Sequence, residues 1–228
     1  MGTPSQRDAF LQGEGDAWFK RNVRVLDTDI ERRAADDPII AAVKHHRVKP
    51  RRILEIGASN GWRLWLLQQL TGAESIGVEP SERAVAAARA RYPGIVMHRG
   101  TADTLPCGDS EVDLLILGFC LYVCDRADLF RIAAECDRVL ADGGRLMILD
   151  FHSSVPWRNP YVHLPGMYAY KMQYDTMFSW NPAYRIAEQR LTDHAGGAGD
   201  DPADRLALTV LVKDSAGAYV DNPYRPKP

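Results

Sequence analysis

The chain has 228 residues, of which 46% are hydrophobic, and a formal net charge of −2 at pH 7. This length can bury a full core and predicts one domain, and the near-zero charge gives no field that would draw the protein onto nucleic acid. No apolar run approaches the roughly 20 residues that cross a bilayer, and the first residues lack the layout of a signal peptide. We therefore expect a cytoplasmic protein with neither nucleic acid nor a membrane as its partner.

The chain has four cysteines, and none of them form a C-x-x-C pair. We expect buried free thiols rather than disulfides or a metal site. His45 and His46 end a helix predicted to begin near Pro38. Adjacent residues face different sides of a helix, so this pair is a poor metal site and no metal is expected.

Residues 1–35 are predicted to form an N-terminal arm in which Trp18 and Phe19 stand among polar neighbours. Large apolar side chains in such a segment must be covered. The arm either docks on the domain surface or closes over a cofactor, with Arg21 or Asn22 reaching a polar group of that cofactor.

The stretch from Arg52 to Gly61, RILEIGASNG, reads as an apolar strand followed by a glycine-containing turn. Gly57 and Gly61 lack Cβ atoms, so a ligand can lie against the main chain where the strand ends. Glu55 comes two residues before Gly57, and its carboxylate would repel a pyrophosphate and attract amine or ribose donors. The cofactor of this turn should therefore carry positive charge.

The segment EIGASNG resembles the first motif of class I S-adenosylmethionine-dependent methyltransferases, E/D-x-G-x-G-x-G, with Ala58 inside the turn and Ser59 in place of the middle glycine. The resemblance implies S-adenosylmethionine as cofactor, because its ammonium and sulfonium suit Glu55. Glycine turns after strands also occur in dinucleotide-binding proteins, and a turn without a ligand is the third alternative.

Two further acids extend this resemblance. Glu79, followed by Pro80, ends the second predicted strand, where an acid accepts from ribose hydroxyls in either a dinucleotide or an adenosylmethionine site. After the third strand, the methyltransferase family typically has an acid that binds the adenine amino group. Asp103 matches that acid, with Ala102 and Thr104 alongside.

The apolar run EVDLLILGFCLYV is typical of a central parallel strand. Ligands of open α/β sheets bind at the carboxyl ends of the strands, so Phe119, Cys120 and Tyr122 are candidates for the cofactor wall and the transfer site. Amino-base methyltransferases have N/D-P-P-Y/F/W at this position, and this chain has GFCLY instead. A D-G-G turn then precedes the fifth strand, as in the same family.

His152 closely follows the fifth strand and is the nominated general base, because imidazole can take a proton near neutral pH. His163 and Tyr122 are the alternatives, and a hydrogen bond within its loop is the competing role for His152. The aromatic residues of segment 152–183 are expected to cap a substrate pocket or to close a secondary core.

We predict an α/β chain with the Rossmann-like class I methyltransferase fold. Its seven-stranded sheet has five parallel strands and a terminal antiparallel hairpin, with helices on both faces. The single domain, 1–228, comprises the arm 1–35, a cofactor-binding core 50–151, the capping segment 152–183 and the hairpin 184–214.

The predicted function is S-adenosylmethionine-dependent O- or N-methylation of a small soluble metabolite, with a sugar or a natural-product intermediate as the expected class. A non-catalytic S-adenosylmethionine-binding protein and a nicotinamide-dependent oxidoreductase are the alternatives. The sequence leaves the substrate, the methylated atom and the oligomeric state open.

Overall fold

A seven-stranded β-sheet forms the centre of the protein, whose computed structural model describes residues 5–26 and 30–225. Its strands are β1 (Arg52–Ile56), β2 (Glu74–Glu79), β3 (Ile95–Arg99), β4 (Val112–Gly118), β5 (Leu140–Phe151), β8 (Tyr184–Thr192) and β9 (Leu206–Lys213). The short strands β6 (Trp157–Pro160) and β7 (Tyr168–Lys171) pair separately.

The strand order is β3-β2-β1-β4-β5-β9-β8. The first five strands in this order are parallel, and β9 lies antiparallel between β5 and β8. This arrangement confirms the predicted sheet and its terminal hairpin. The chain reverses its direction of winding between β1 and β4, which is where open α/β sheets form a crevice at the carboxyl ends of their strands.

Helices cover the sheet and its carboxyl edge. They are α1 (Gln6–Ala9), a π-helical segment (Phe10–Glu14), α2 (Gly15–Leu26), α3 (Ile30–Asp36), α4 (Pro38–His45), α5 (Trp62–Thr71), α6 (Glu82–Arg91), α7 (Leu129–Val139) and α8 (Thr176–Ser179), with 3₁₀ turns at Leu121–Val123 and Arg126–Asp128. Among the described residues, no helix combines the length and the apolar character that a membrane crossing requires.

Strand β4 shows why the central run is apolar throughout. Leu114 and Ile116 pack in the core cluster beneath α4, α5 and α6, whereas Leu115 and Leu117 pack in the cluster beneath α7 and α8. Successive side chains of a strand point to opposite faces, so a sheet covered on both faces needs apolar residues at every position.

Gly77 of β2 provides a test of this packing. A Cβ at Gly77 would overlap the Met97 sulfur and lie 2.9 Å from both Ala58 Cβ and Leu64 Cδ1. We expect Gly77→Ala to lower the free energy of unfolding by about 1–3 kcal/mol, the usual effect of overpacking. Urea unfolding measures this change.

Gly100→Ala is the matched control, because a Cβ there would meet only Val78 Cγ1, at an ordinary 3.4 Å. Equal stability of the two variants would contradict the packing described for β2.

Candidate active site

A cavity of about 1000 Å³ opens at the carboxyl edge of the sheet. This volume is at the upper end for small-molecule sites, which range over about 300–1,000 Å³. Most of the predicted site residues line it, namely Trp18, Asn22, Glu55, Gly57, Ala58, Ser59, Glu79, Pro80, Ala102, Asp103, Phe119 and Tyr122. Gly61, Thr104 and Arg21 lie outside its wall, as do His152 and His163.

The turn after β1 depends on left-handed backbone. Gly57, Ser59 and Gly61 have φ values of +75°, +49° and +73°. A Cβ at Gly57 would come within 2.9 Å of Cys120 Cβ, so a side chain there would separate the turn from the end of β4. Ser59 adopts the left-handed conformation that glycine takes without strain, which explains why its place in the motif is usually a glycine.

Glu79 fixes this turn from the end of β2. Its carboxylate accepts hydrogen bonds from the backbone N–H groups of Ser59 and Ser81, both at 2.9 Å. The side chain is buried at the cavity wall, and burial raises its pKa to about 7 against the lowering effect of the two hydrogen bonds. Glu79 therefore holds the backbone of the site and presents an acidic surface to a ligand.

A buried charge network stands beside the turn. The Arg63 guanidinium of α5 contacts Glu55 Oε1, and its Nε donates to Asp37 Oδ2 at 2.9 Å. Two carboxylates thus share one guanidinium, and burial raises the pKa of Glu55. Glu55 Oε2 and Ser59 Oγ are buried with no hydrogen-bond partner among the described residues. This arrangement suits a ligand that brings donors and positive charge.

The N-terminal arm is docked over the cavity. Asp125 accepts from the backbone N–H groups of Gln6, at 3.0 Å, and Arg7, at 2.8 Å, where its negative charge suits the first turn of α1. Trp18 lines the cavity and Phe19 is buried. The arm is thus docked on the domain and also lies over the cavity, so each of the two sequence alternatives describes part of its position.

Arg21 and Asn22 occupy different places in the arm. Arg21 donates to Glu14 at 2.5 Å and to the Tyr161 hydroxyl at 3.2 Å, so it fastens the arm to the capping segment instead of reaching the cavity. Asn22 lines the cavity, and its amide donates to the Trp18 carbonyl at 2.8 Å.

Asp103 joins the arm to the opposite wall. Its Oδ2 accepts from Arg7 Nη1 at 3.0 Å, and its Oδ1 accepts from the Thr101 hydroxyl at 2.6 Å. Burial raises the pKa of Asp103, but these hydrogen bonds outweigh it and the pKa lies below its usual range. The neighbouring Thr104 hydroxyl donates to the Asp103 carbonyl and does not line the cavity.

The segment 152–183 contributes no residue to the cavity wall. Tyr161 and Met167 instead pack with Ala9 of α1 in a small separate core, and the Tyr161 hydroxyl donates to Glu14 at 2.8 Å. The segment holds the arm, and the arm covers the cavity. This matches the secondary-core alternative for its aromatic residues.

Four rings cluster at the ends of β4 and β5. Phe151 makes edge contacts with Phe119, Tyr122 and His194, with centroids 6.2, 5.2 and 5.5 Å away, and His194 stacks on Phe119 at 5.6 Å. All four line the cavity. His194 is absent from the sequence prediction, because it belongs to the glycine-rich connection between β8 and β9, which reads as a linker.

His152 lies outside the cavity wall because side chains alternate along an extended chain. Phe151 faces the cavity, and His152 is buried away from it, with its backbone N–H donating to the Arg205 carbonyl at 2.9 Å. Burial lowers its pKa, and neither ring nitrogen has a partner among the described residues. Its catalytic role stays a prediction without contact to the cavity.

The two alternative bases also differ in position. His163 is exposed, with its ring 5.4 Å from that of Tyr161 and away from the cavity. Tyr122 lines the cavity, but burial raises its pKa above its usual value, so near neutral pH it is a hydrogen-bonding phenol rather than a base.

All four cysteines are free thiols. Cys107 and Cys136 are buried as expected, whereas Cys120 and Cys124 are half-buried and line the cavity. Burial raises the pKa of Cys124 to about 12, so its thiol stays protonated near neutral pH.

The structure brings together three groups that the sequence did not connect. One ligand atom each from His45, His46 and Glu188 lies within 4.8 Å of the others, and His46 Nε2 is 2.7 Å from Glu188 Oε2. His46 follows the last residue of α4, so the helical spacing that separates adjacent residues does not apply to it.

The sequence of this chain is similar to the sequences of known methyltransferases. Residues 53–144 match a family model described as a methyltransferase domain. The malonyl-[acyl-carrier protein] O-methyltransferase of Methylococcus capsulatus is 32% identical over 123 residues, which are 52% of this chain and 44% of that protein. The ubiquinone/menaquinone biosynthesis C-methyltransferase of Rubrivivax gelatinosus is 33% identical over 88 residues, 38% of this chain and 34% of that protein.

A solved structure matches over most of its length. The 1,6-didemethyltoxoflavin-N1-methyltransferase of Burkholderia thailandensis, with bound 1,6-didemethyltoxoflavin and S-adenosylhomocysteine, superposes with a TM-score of 0.70 at 16% identity, covering 94% of this chain and 92% of that chain. This likeness shows a shared fold. The chain spans less than half the length of the two curated relatives, 44% and 34%.

The raised pKa of Glu79 predicts a pH dependence of stability. Its value of about 7 in the folded protein exceeds the ordinary 4.5, so its contribution to the free energy of unfolding is complete below about pH 4.5 and is lost as the pH rises through 7. The difference in unfolding free energy between wild type and Glu79→Gln should fall by up to about 1.4 kcal/mol per pH unit between pH 5 and 7.

Urea unfolding at pH 5, 6, 7 and 8 measures this difference. The hydrogen bond that glutamine cannot accept adds a constant offset, so the slope reports the titration alone. A difference that does not change with pH would contradict the assignment of a raised pKa to Glu79.

Proposed function

We propose that this chain is a class I S-adenosylmethionine-dependent methyltransferase and that it transfers the methyl group of S-adenosylmethionine to a small acceptor; the match of residues 53–144 to a methyltransferase domain and the similarity to named methyltransferases support this. The observation that carries the proposal is the buried, unpartnered Oε2 of Glu55 beside the left-handed turn. An unsatisfied buried carboxylate oxygen is costly, and an ammonium donor of a ligand would satisfy it.

The cavity residues fit the parts of this cofactor. Glu55 would hold the ammonium, Glu79 the ribose hydroxyls and Asp103 the adenine amino group, while Gly57 lets the ligand approach the main chain. The order of these residues follows the sheet edge, because β1 lies beside β2 and β2 beside β3. Phe119 closes the opposite wall at the end of β4.

When bound, S-adenosylmethionine supplies a methyl group that its sulfonium already activates for transfer. The protein then has to orient the acceptor, exclude water and accept a proton where the acceptor carries one. The arm excludes water with Trp18, Asn22 and the first turn of α1. The cavity, at about 1000 Å³, leaves room for an acceptor beside the cofactor.

The proposed acceptor is a small soluble metabolite, with a sugar or a natural-product intermediate as the expected class, in a cytoplasmic protein. The names of the relatives refer to an acyl-carrier protein, to ubiquinone and menaquinone and to a toxoflavin precursor. All of these names describe methyl transfer, but each refers to a different acceptor. A screen of metabolite pools with labelled S-adenosylmethionine tests the proposal, and cofactor binding without any labelled product would favour a non-catalytic binder.

Calorimetry should show binding of S-adenosylmethionine and S-adenosylhomocysteine, and much weaker binding of NAD. Glu79→Ala should weaken cofactor binding by about 1.5–3 kcal/mol, because ribose donors lose a charged acceptor and the turn loses its support. Asp103→Asn should cost less, since the amide oxygen still accepts from adenine. Tight NAD binding without S-adenosylhomocysteine binding would contradict the proposal, and wild-type affinity in both variants would contradict the two assignments.

The arm should respond to the cofactor. S-Adenosylhomocysteine should slow amide hydrogen exchange in residues 13–22, because the ligand fills the cavity that α2 covers. Arg7→Ala removes the contact with Asp103 and should speed exchange in the same residues of the ligand-free protein.

Arg185→Ala is a suitable control, because Arg185 is exposed on β8 and does not line the cavity. Exchange that neither the ligand nor Arg7→Ala changes would mean that the arm is docked independently of the cavity.

A further inference from the structure

We infer that the acceptor is a planar aromatic or heteroaromatic ring with an ionisable O–H or N–H group, and that His194 takes its proton. This inference rests on the proposed function and names the acceptor class and a catalytic residue for the same cavity. It starts from the ring cluster formed by Phe119, Tyr122, Phe151 and His194.

The fold fixes the position of Phe119 in this cluster. Phe119 has a φ of +53°, and its N–H donates to the Leu149 carbonyl of β5 at 2.8 Å. A left-handed conformation at a bulky residue costs free energy and persists only where the surrounding structure imposes it, which is typical of functional sites. Here it places the Phe119 ring on the cavity wall at the strand end where ligands of this fold class bind.

The cluster offers flat surfaces in two orientations. His194 lies nearly parallel to Phe119, at an interplanar angle of 20°, whereas Phe151 stands at 74° to Phe119 and 72° to His194. Aromatic rings prefer offset-stacked and edge-to-face contacts with one another. A planar acceptor can make both kinds of contact in this cluster, whereas a sugar ring can only pack its C–H groups on an aromatic face and an alkyl chain has no ring plane to stack.

The charged side chains of the cavity belong to other parts of its wall. Glu55, Asp37 and Arg63 form one network beside the glycine turn, and Asp103 pairs with Arg7 at the arm. Lys171 Nζ is 4.0 Å from the Phe151 centroid, but Lys171 is buried, donates to the Ala203 carbonyl and does not line the cavity. The cluster itself provides aromatic faces, one phenol and one imidazole.

The connection between β8 and β9 is folded around His194. Asp193 Oδ1 accepts from the N–H groups of Ala195 and Gly197, both at 2.8 Å, so the residues on either side of His194 form a closed turn. His194 Nε2 lies 3.8 Å from Asp204 Oδ1. This distance is too long for a hydrogen bond and both side chains are exposed, so Asp204 does not fix the tautomer and either ring nitrogen of His194 can accept a proton.

Two bonds break and two bonds form during this methyl transfer. The O–H or N–H bond of the acceptor breaks and its proton passes to His194. The freed electron pair forms the bond to the methyl carbon, and the electron pair of the broken sulfur–carbon bond stays on the sulfur of the methyl donor, which becomes a neutral thioether. General-base assistance of this kind contributes about 100-fold or more to the rate.

The test combines binding with turnover in the full chain. The planar probes are 1,4-dihydroxynaphthalene and 8-hydroxyquinoline, and the non-planar ones are glucose and a malonyl thioester. Calorimetry on the protein loaded with S-adenosylhomocysteine should detect the planar probes, and Phe151→Leu should weaken their binding about 3- to 10-fold with S-adenosylhomocysteine affinity unchanged.

Turnover then tests His194 on whichever planar probe is methylated. His194→Ala should lower kcat about 100-fold or more on an acceptor that is protonated at the assay pH. It should lower kcat far less on a ring-substituted analogue that is already ionised, a difference that a purely structural role would not produce. His98→Ala, on β3 and outside the cavity wall, is the control and should match wild type.

The outcomes separate the two proposals. Failure to bind S-adenosylhomocysteine would overturn the proposed function. Binding of S-adenosylhomocysteine without any planar probe, or methylation of glucose or the thioester alone, would overturn only the inference about the acceptor. Wild-type turnover in His194→Ala on a protonated acceptor, or an equal loss on protonated and ionised acceptors, would overturn the role of His194.

Discussion

The cavity depends on the two hydrogen bonds that Glu79 accepts from the backbone N–H groups of Ser59 and Ser81. These bonds tie the turn after β1 to the chain leaving β2, and they hold Ser59 in a left-handed conformation that it would otherwise avoid. They also explain why a carboxylate is kept in a buried place, since an amide could accept only one of them. Glu79 thus lines the cavity and also holds the turn beside it.

The N-terminal arm adds a second layer over the cavity, and one carboxylate again has two roles in it. Asp125 receives the first N–H groups of α1, and Arg7 of that helix then reaches Asp103. Asp103 is the residue proposed to bind adenine, so recognition of the cofactor and the closed position of the arm meet at one carboxylate. The segment 152–183 supports the arm from outside through Tyr161 and Met167.

The sequence predicts those parts of the protein that local patterns specify. The sheet follows from apolar runs that need cover on both faces, and the site follows from acids and glycines at strand ends, of which Glu55, Glu79 and Asp103 all line the cavity. Contacts between residues that are far apart in the sequence are not predicted by such patterns. The ion pair between Arg7 and Asp103 joins residues 96 positions apart, and no local pattern indicates it.

The prediction of a general base meets the same limit, because it depends on where a single side chain lies. His152 directly follows the end of β5, but the face of the sheet that it occupies depends on strand register, and a shift of one residue would exchange a side chain in the core for one in the cavity. His194 has no periodic signal, because it lies in a connection rich in glycine and aspartate. A histidine in such a connection was the one available sign, and only the position of β9 beside β5 shows that it reaches the ends of β4 and β5.

The charges of the cavity make its binding and its protonation interdependent. Asp37 and Glu55 set two acidic groups against the single guanidinium of Arg63, and Glu55 also raises the pKa of Glu79, after the larger effect of burial. A cationic ligand beside Glu55 would offset that excess and favour ionised Glu79, which accepts ribose hydroxyls better than the protonated acid does. A neutral ligand of the same shape would leave both carboxyls with raised pKa values. Such a cavity would therefore select ligands by charge as well as by shape, because the backbone or Arg63 holds each carboxylate in place.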